Sequence, residues 1–245
     1  MFARRGAEGI ESYGFALWNM NKQEVISQLQ SLANPANVAG MARYGINPNN
    51  TLGISIYVLR KVAKEIGMDD ALADQLWASG IHEARILASY IADPTMATEE
   101  RLERWVAEFD SWDVCDQVCG FFEETVFAYR KAVEWSSRDE EFVKRAAFAI
   151  MAGLAVHDKQ ADDSTLEQFF ENIIRAATDE RNFVKKAVNW ALGNIGKRNL
   201  NLNEKAIAVA RKIQLINSRS ARWIAADALR ELTTERTQRK LRRKI

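Results

Sequence analysis

The apolar positions of this chain repeat with the spacing of an α-helix along most of its length. Val25, Ile26, Leu29 and Leu32 form the first stripe and share one helical face. Further stripes predict helices over about residues 34–45, 54–67, 69–79, 81–92, 98–109, 112–135, 138–157, 163–178, 181–197, 203–216 and 219–232. Alternating β-branched runs and Asn-Gly turns, which would indicate strands, do not interrupt this pattern. The pattern therefore predicts an all-α protein.

The periodic region has clear limits. Helical spacing starts only after Met20, so we expect residues 1–19 to be a poorly ordered N-terminal extension. We expect one repeat domain over residues 20–233. Residues 234–245 are rich in arginine and lysine and read as a basic C-terminal tail, which is either a solubilising end or a contact for phosphates.

One sequence stretch occurs twice. The segment 142–149 reads FVKRAAFA and the segment 183–190 reads FVKKAVNW, at an offset of 41 residues. This offset lies in the period of two-helix HEAT or armadillo units. Because the second helices of successive units line one surface of a solenoid, the repeat predicts a HEAT/armadillo-like solenoid with a concave face.

The repeat and its weaker echoes place a cation at one equivalent helical position four times. These positions, which we call the cation slot, are Arg85, Arg145, Lys186 and Arg222. One exposed cation is ordinary surface chemistry, but four in one slot favour a basic groove for a polyanion. The formal net charge is only +1, from 34 basic and 33 acidic residues, so a nucleic-acid binder would need such a local basic face.

Other classes of protein fit the composition poorly. No apolar run approaches the length of about 20 residues that spans a bilayer, and the first residues do not read as a signal peptide. The two cysteines, Cys115 and Cys119, lie far in sequence from either histidine, so we expect no metal site and no cofactor. Two buried thiols suit a reducing cytoplasm.

Four side chains of the predicted groove could carry chemistry. Trp112 and Asp116 lie four residues apart and share a helical face, while Arg145 and Trp190 stand on other units. A carboxylate among cations is a poor phosphate ligand, which sets Asp116 apart. The alternatives are that the tryptophans belong to the core and that Asp116 forms an ion pair with Arg145 or another basic residue.

Four motifs resemble those of a known family. They are Met41-Ala42-Arg43-Tyr44, Ser111-Trp112-Asp113-Val114-Cys115-Asp116, Lys144-Arg145-Ala146-Ala147 and Lys185-Lys186-Ala187-Val188-Asn189-Trp190. In this order and approximate spacing they resemble the DNA alkylation repair family of HEAT-like-repeat DNA glycosylases, over about residues 22–232. Ser111 departs from the pattern, since an aromatic residue is expected there.

The resemblance implies hydrolysis of the N-glycosidic bond of cationic N3- or N7-alkylated purines in double-stranded DNA. It implies catalytic roles for Asp116, Trp112 and Trp190, with Arg145 and Tyr44 beside them on the DNA. Asp116 would stabilise an oxocarbenium-like sugar and orient water, and the indoles would offer their π-faces to the developing charge. Lys186, Arg85 and Arg222 complete the predicted DNA contacts.

Two other interpretations remain open. A noncatalytic helical-repeat protein could bind damaged or branched DNA through the same groove, although such a protein has no need of a carboxylate at position 116. A protein–protein scaffold would present an apolar or acidic face, which the cation slot argues against. We predict a cytoplasmic monomer that binds DNA and no membrane.

Overall fold

The protein is described by a computed structural model that covers residues 20–243. These residues form helices and connections and contain no strand, so the all-α prediction is confirmed for them. The predicted extension, residues 1–19, lies outside the described residues. The helices are α1 (Lys22–Ser31), α2 (Pro35–Arg43), α3 (Ile56–Ile66), α4 (Asp70–Trp77), α5 (His82–Ile91), α6 (Glu99–Ala107), α7 (Trp112–Phe122), α8 (Ala128–Trp135), α9 (Glu141–His157), α10 (Asp163–Glu167), α11 (Phe169–Ala176), α12 (Asn182–Gly196), α13 (Leu200–Gln214), α14 (Arg219–Leu232) and α15 (Glu235–Arg242), with a 3₁₀ turn at Pro94–Met96.

Polar residues fix where many helices begin. Asn21 and Glu24 form a capping box, in which each side chain accepts from the other residue's backbone N–H. Asn34 caps α2, and Pro35 occupies its first position, where a missing N–H costs nothing. Side-chain oxygens also accept a backbone N–H at the caps Asp69, Thr98, Asp162, Asn199, Ser218 and Thr234.

The helices form two packed layers. In the first layer α3, α5, α7, α9, α12 and α14 pack in that order, each against the next. The second layer contains α4, α6, α8, α11 and α13, which pack on the first. The repeated segments begin α9 and α12, which are neighbours in the first layer, so the 41-residue offset corresponds to one structural repeat.

Two predicted helices are each divided in the structure. The predicted helix 112–135 is wrong, because the chain leaves the first layer after Phe122 and enters the second layer at Ala128. Both halves bury an apolar stripe, so periodicity could not show that the stripes face different layers. The predicted helix 163–178 is interrupted at Gln168, whose side-chain amide donates to the carbonyl of Thr165 at 2.6 Å.

The predicted basic tail contains a packed helix. Leu241 of α15 is 1% exposed. Gln238 donates to the carbonyl of Leu232 at 2.7 Å and to Asn203 Oδ1 at 2.9 Å. These contacts hold α15 against the end of α14, so the tail is a continuation of the helical stack over 235–242.

The core is rich in aromatic rings. The rings of Trp77 and Trp105 stack with centroids 4.3 Å apart between α4 and α6. Cys115 and Cys119 are buried and unpaired. Within residues 20–243 there is no helix with the length and apolar character needed to cross a membrane.

Candidate active site and nucleic-acid interface

Asp116 and Arg145 form a two-pronged ion pair between neighbouring helices of the first layer. Arg145 Nε donates to Asp116 Oδ1 at 2.9 Å, and Arg145 Nη2 donates to Asp116 Oδ2 at 2.7 Å. Arg145 Nη1 donates to the carbonyl of Phe183 at 2.6 Å. Such bidentate pairs are strong and fix the planes of both groups. One guanidinium therefore joins α7, α9 and the start of α12.

The pair is largely shielded from water. The side chains of Asp116 and Arg145 are 17% and 7% exposed. Burial raises the pKa of Asp116 above its ordinary value, and the Arg145 guanidinium acts in the opposite direction. Burial also disfavours the Arg145 cation, but Asp116 outweighs this and the pKa of Arg145 is raised. Each charge therefore depends on its partner, and the carboxylate is held in one orientation.

Trp112 lies at the first position of α7, beside this pair. Its Nε1 donates to the backbone carbonyl of Tyr44 at 3.0 Å, and its ring centroid lies 5.9 Å from Arg145 Cζ. The Tyr44 side chain is 77% exposed. The bond holds the end of α2 against α7, so the Tyr44 ring projects into solvent from a fixed backbone.

Residues 44–47 form a corner that is anchored at three points. Besides the Trp112 bond, Gly45 has φ +78° and packs on the ring of Phe183, where an added Cβ would lie 2.8 Å from Cζ. Only glycine combines this backbone with this close approach. Asn47 N donates to Ser111 Oγ at 2.8 Å. Ser111 is thus a buried anchor for the corner, which gives a structural reason for its departure from an aromatic residue.

The structure does not bring Trp190 into the same cluster. Its indole on α12 is 39% exposed. Within residues 20–243 no hydrogen bond or ring–ring contact joins Trp190 to Trp112, Asp116 or Arg145. Lys186, one turn earlier on α12, is exposed. Trp190 and Lys186 therefore present an exposed indole and an exposed cation on α12, the helix that packs beside α9.

The cation slot divides into two kinds of position. Arg85 is 16% exposed and is held by Glu108, with Nη2 donating to Oε2 at 2.9 Å and Nη1 to the carbonyl at 3.1 Å. Its guanidinium also lies 5.5 Å from the ring centroid of Trp77. Much of the hydrogen-bonding capacity of Arg85 is thus used within the chain, and its role as a DNA contact stays a prediction. Arg222 is exposed on α14, with Asn217 Oδ1 accepting from it at 3.2 Å.

A cavity of about 540 Å³ lies on the other side of Trp112. Its walls come from α2, the loop before α3, α5 and the start of α7, and most of its lining is apolar. His82 and Asp113 also line it, and His82 Nε2 lies 2.9 Å from Asp113 Oδ2. Sequence reasoning missed this pair, since a single histidine on an apolar helix gives no signal of its partner.

One group of three carboxylates within the described chain is close enough to hold a metal ion. It consists of Glu99, Glu103 and Glu134. The ammonium of Lys131, whose side chain is 1% exposed, already lies among them at 2.7, 2.5 and 2.9 Å. The lysine supplies the positive charge that the carboxylates need, so this group joins α6 to α8 without a metal.

One solved structure agrees with this architecture. A solved structure from a family described as related to the HEAT-like repeat DNA glycosylases, with affinity for branched DNA structures, matches with a TM-score of 0.73 and 21% identity. The match covers 86% of this chain and 95% of that chain, and it shows the HEAT-like fold. A designed armadillo repeat protein matches with a TM-score of 0.40 and 18% identity, over 89% of this chain and 97% of its own. No curated protein matches the sequence.

The family itself is settled by the sequence. The family described as DNA alkylation repair enzyme matches residues 25–232, which include α1 to α14 almost entirely. Asp116, Arg145, Trp112 and Trp190 all lie within the matched region. The resemblance noted from the four motifs is therefore confirmed, and this chain belongs to the DNA alkylation repair enzyme family.

Proposed function

We propose that this protein is a DNA glycosylase that hydrolyses the N-glycosidic bond of cationic N3- or N7-alkylated purines in double-stranded DNA. The observation that carries the proposal is the Asp116 carboxylate, fixed by Arg145 at 2.7 and 2.9 Å beside the indole of Trp112. Membership of the DNA alkylation repair enzyme family supports the same chemistry.

The reaction needs little acid catalysis. An alkylated purine already carries positive charge, so bond cleavage sends the bonding electron pair to the base and neutralises it. The sugar becomes oxocarbenium-like, water adds to C1′, and the proton of that water passes to Asp116 or to bulk water. A fixed carboxylate stabilises the positive sugar more in the transition state than in the substrate. Neither a metal nor a cofactor is part of this scheme.

The role we assign to Arg145 is to orient Asp116 and to carry one further contact. Its guanidinium has five N–H donors. Three are used, by Asp116 and by the carbonyl of Phe183. Those that remain could donate to a phosphate of the lesion strand without dissolving the pair. A phosphate bound there would compete with Asp116 for the positive charge of Arg145, so the Asp116 carboxylate would be less neutralised.

The remaining contacts come from open surface. Tyr44 projects from the anchored corner, and Trp190 and Lys186 follow on α12, where the indole would lie against deoxyribose and the lysine against phosphate. Arg222 extends the phosphate contacts to α14. All these groups come from one chain, so we propose that the protein acts as a monomer; its two buried free thiols suit the cytoplasm.

A second function is favoured by one specific observation. Both oxygens of Asp116 accept from Arg145, and the pair is mostly buried. A carboxylate whose two oxygens are both occupied could have a purely structural role. The protein would then bind damaged or branched DNA without cleaving it, as its structural neighbour's affinity for branched DNA suggests.

Single-turnover release of 7-methylguanine and 3-methyladenine from methylated duplex DNA separates the two functions. We expect release by the native chain and a fall by orders of magnitude in Asp116→Asn, with DNA affinity retained. Asp113→Asn on the same helix is the matched control and should release base. An inactive native chain that still binds DNA would reject the glycosylase and favour the binding protein.

A further inference from the structure

The last helix of the first layer carries an aromatic group that the proposed chemistry does not use. Trp223 on α14 is 39% exposed, although buried aromatic surface is a main source of stability. Lys185 Nζ, from the neighbouring α12, lies 4.9 Å from the centroid of the Trp223 ring. The exposed indole therefore has a cation over its ring and open surface beside it.

The neighbourhood of Trp223 contains exposed cations, and Asp227, one turn along α14, is paired with Arg230. Lys186 and Arg222 are exposed on the same two helices. Within the described chain neither makes a salt bridge, and Lys185 makes none either. A flat ring among unneutralised ammonium and guanidinium groups matches the chemistry of a nucleotide, which offers an aromatic base and an anionic phosphate together.

This surface lies apart from the reaction centre. From α7, which carries Asp116, the first layer continues through α9 and α12 to α14. Neighbouring packed helices are about 8–10 Å apart, so the three steps from α7 to α14 place Trp223 at most about 30 Å from Asp116. A nucleotide bound at Trp223 is consequently a different nucleotide from the one at Asp116.

We propose that Trp223 and Lys185 form a stacking site for an unpaired nucleotide of DNA that flanks the duplex. The faces of paired bases are covered by their neighbours in the stack, so an indole can reach a base face only where pairing is lost. Lys185 would contact the phosphate of the same nucleotide while it remains near the ring. This inference rests on the DNA binding in the proposed function, but it requires no base release.

The test compares two undamaged DNAs: a blunt duplex, and the same duplex with a short oligothymidine overhang. Fluorescence anisotropy gives the dissociation constant of each. Stacking on an aromatic side chain is worth about 1–3 kcal/mol per base, so we expect Trp223→Ala to weaken binding of the overhang DNA by about tenfold. Binding of the blunt duplex should change less than about twofold, and Trp223→Phe should retain most of the preference.

Charge-matched variants complete the design. Lys185→Gln should weaken binding of the overhang DNA, whereas Lys212→Gln, on the second-layer helix α13, should not. Equal losses on both DNAs, or Trp223→Phe as weak as Trp223→Ala, would overturn the stacking site. Because the DNA is undamaged, a chain that fails to release alkylated bases can still pass this test, and an active glycosylase can still fail it.

Discussion

Equivalent positions of the repeat serve different purposes in the two halves of the first layer. In the N-terminal half, the slot cations Arg85 and Arg145 pair with Glu108 and Asp116, and their side chains are 16% and 7% exposed. In the C-terminal half, Lys186 and Arg222 are exposed and make no salt bridge within residues 20–243. Arg85 and Arg145 thus join helices, whereas Lys186 and Arg222 can meet a polyanion without losing a salt bridge.

This difference shows where a chain of net charge +1 keeps cations that make no salt bridge within the described residues. Carboxylates that pair with cations in the N-terminal half leave the cations of the C-terminal half unneutralised. Charge is therefore separated along the row of helices even though its sum is near zero. We expect substitutions in the first half to act on stability and in the second half on DNA affinity.

The largest expected effect is that of Arg145→Ala. It leaves the Asp116 carboxylate shielded from water without its cation, which costs about 3–5 kcal/mol in the free energy of unfolding. Urea denaturation at neutral pH measures this cost. Lys186→Ala is the matched control and should cost less than about 0.5 kcal/mol. Equal costs for the two variants would contradict the division of the slot.

A smaller effect is expected from Lys186→Gln and from Arg222→Gln. Each should remove one phosphate contact, so the slope of log affinity against log salt should fall by about 0.9 per variant. Anisotropy titrations of duplex DNA at several salt concentrations give the slope. Arg85→Gln serves as the control, since its charge is already paired with Glu108. A change of slope in Arg85→Gln would show that pairing does not decide which cations meet DNA.

Trp112→Phe tests the anchored corner. The variant keeps an aromatic ring but loses the bond from Nε1 to the Tyr44 carbonyl, which costs about 1 kcal/mol in stability. We expect Tyr44 to become more mobile and base release to slow. Hydrogen exchange at residues 44–47 provides the direct measurement, and unchanged exchange would mean that Gly45 and Ser111 hold the corner alone.

The smallest effect concerns pH. Burial favours the neutral form of His82. The hydrogen bond to Asp113 and the negative charge of that carboxylate outweigh burial and raise the pKa of His82. The protonated form is therefore favoured by folding, and this stabilisation is complete below the ordinary value of 6.5 and lost as pH rises through the raised pKa. Urea midpoints across this range should fall for the native chain and fall less for His82→Gln. Parallel curves would refute the role of His82.

The fold was predictable because each helix carries its own apolar stripe and because the 41-residue repeat is local information. The division of the helix predicted over 112–135 was not, since its two stripes face different layers. For the site, spacing placed Asp116 and Trp112 on one face, and pairing of Asp116 with Arg145 was one stated alternative. The roles of Phe183 and Gly45 escaped prediction, because a backbone carbonyl acceptor and a Cβ-free contact leave no pattern in the sequence.

The reach of the Arg145 guanidinium has a consequence for how the protein is made. Its partners, Asp116 and the carbonyl of Phe183, are separated by 67 residues of chain. A nascent chain of which α9 but not α12 has left the ribosome can form the ion pair of Asp116 and Arg145. It lacks the Phe183 carbonyl that Arg145 binds and the Phe183 ring on which Gly45 packs. The nascent chain therefore completes this centre only after α12 has emerged, which ties its maturation to synthesis of the C-terminal half.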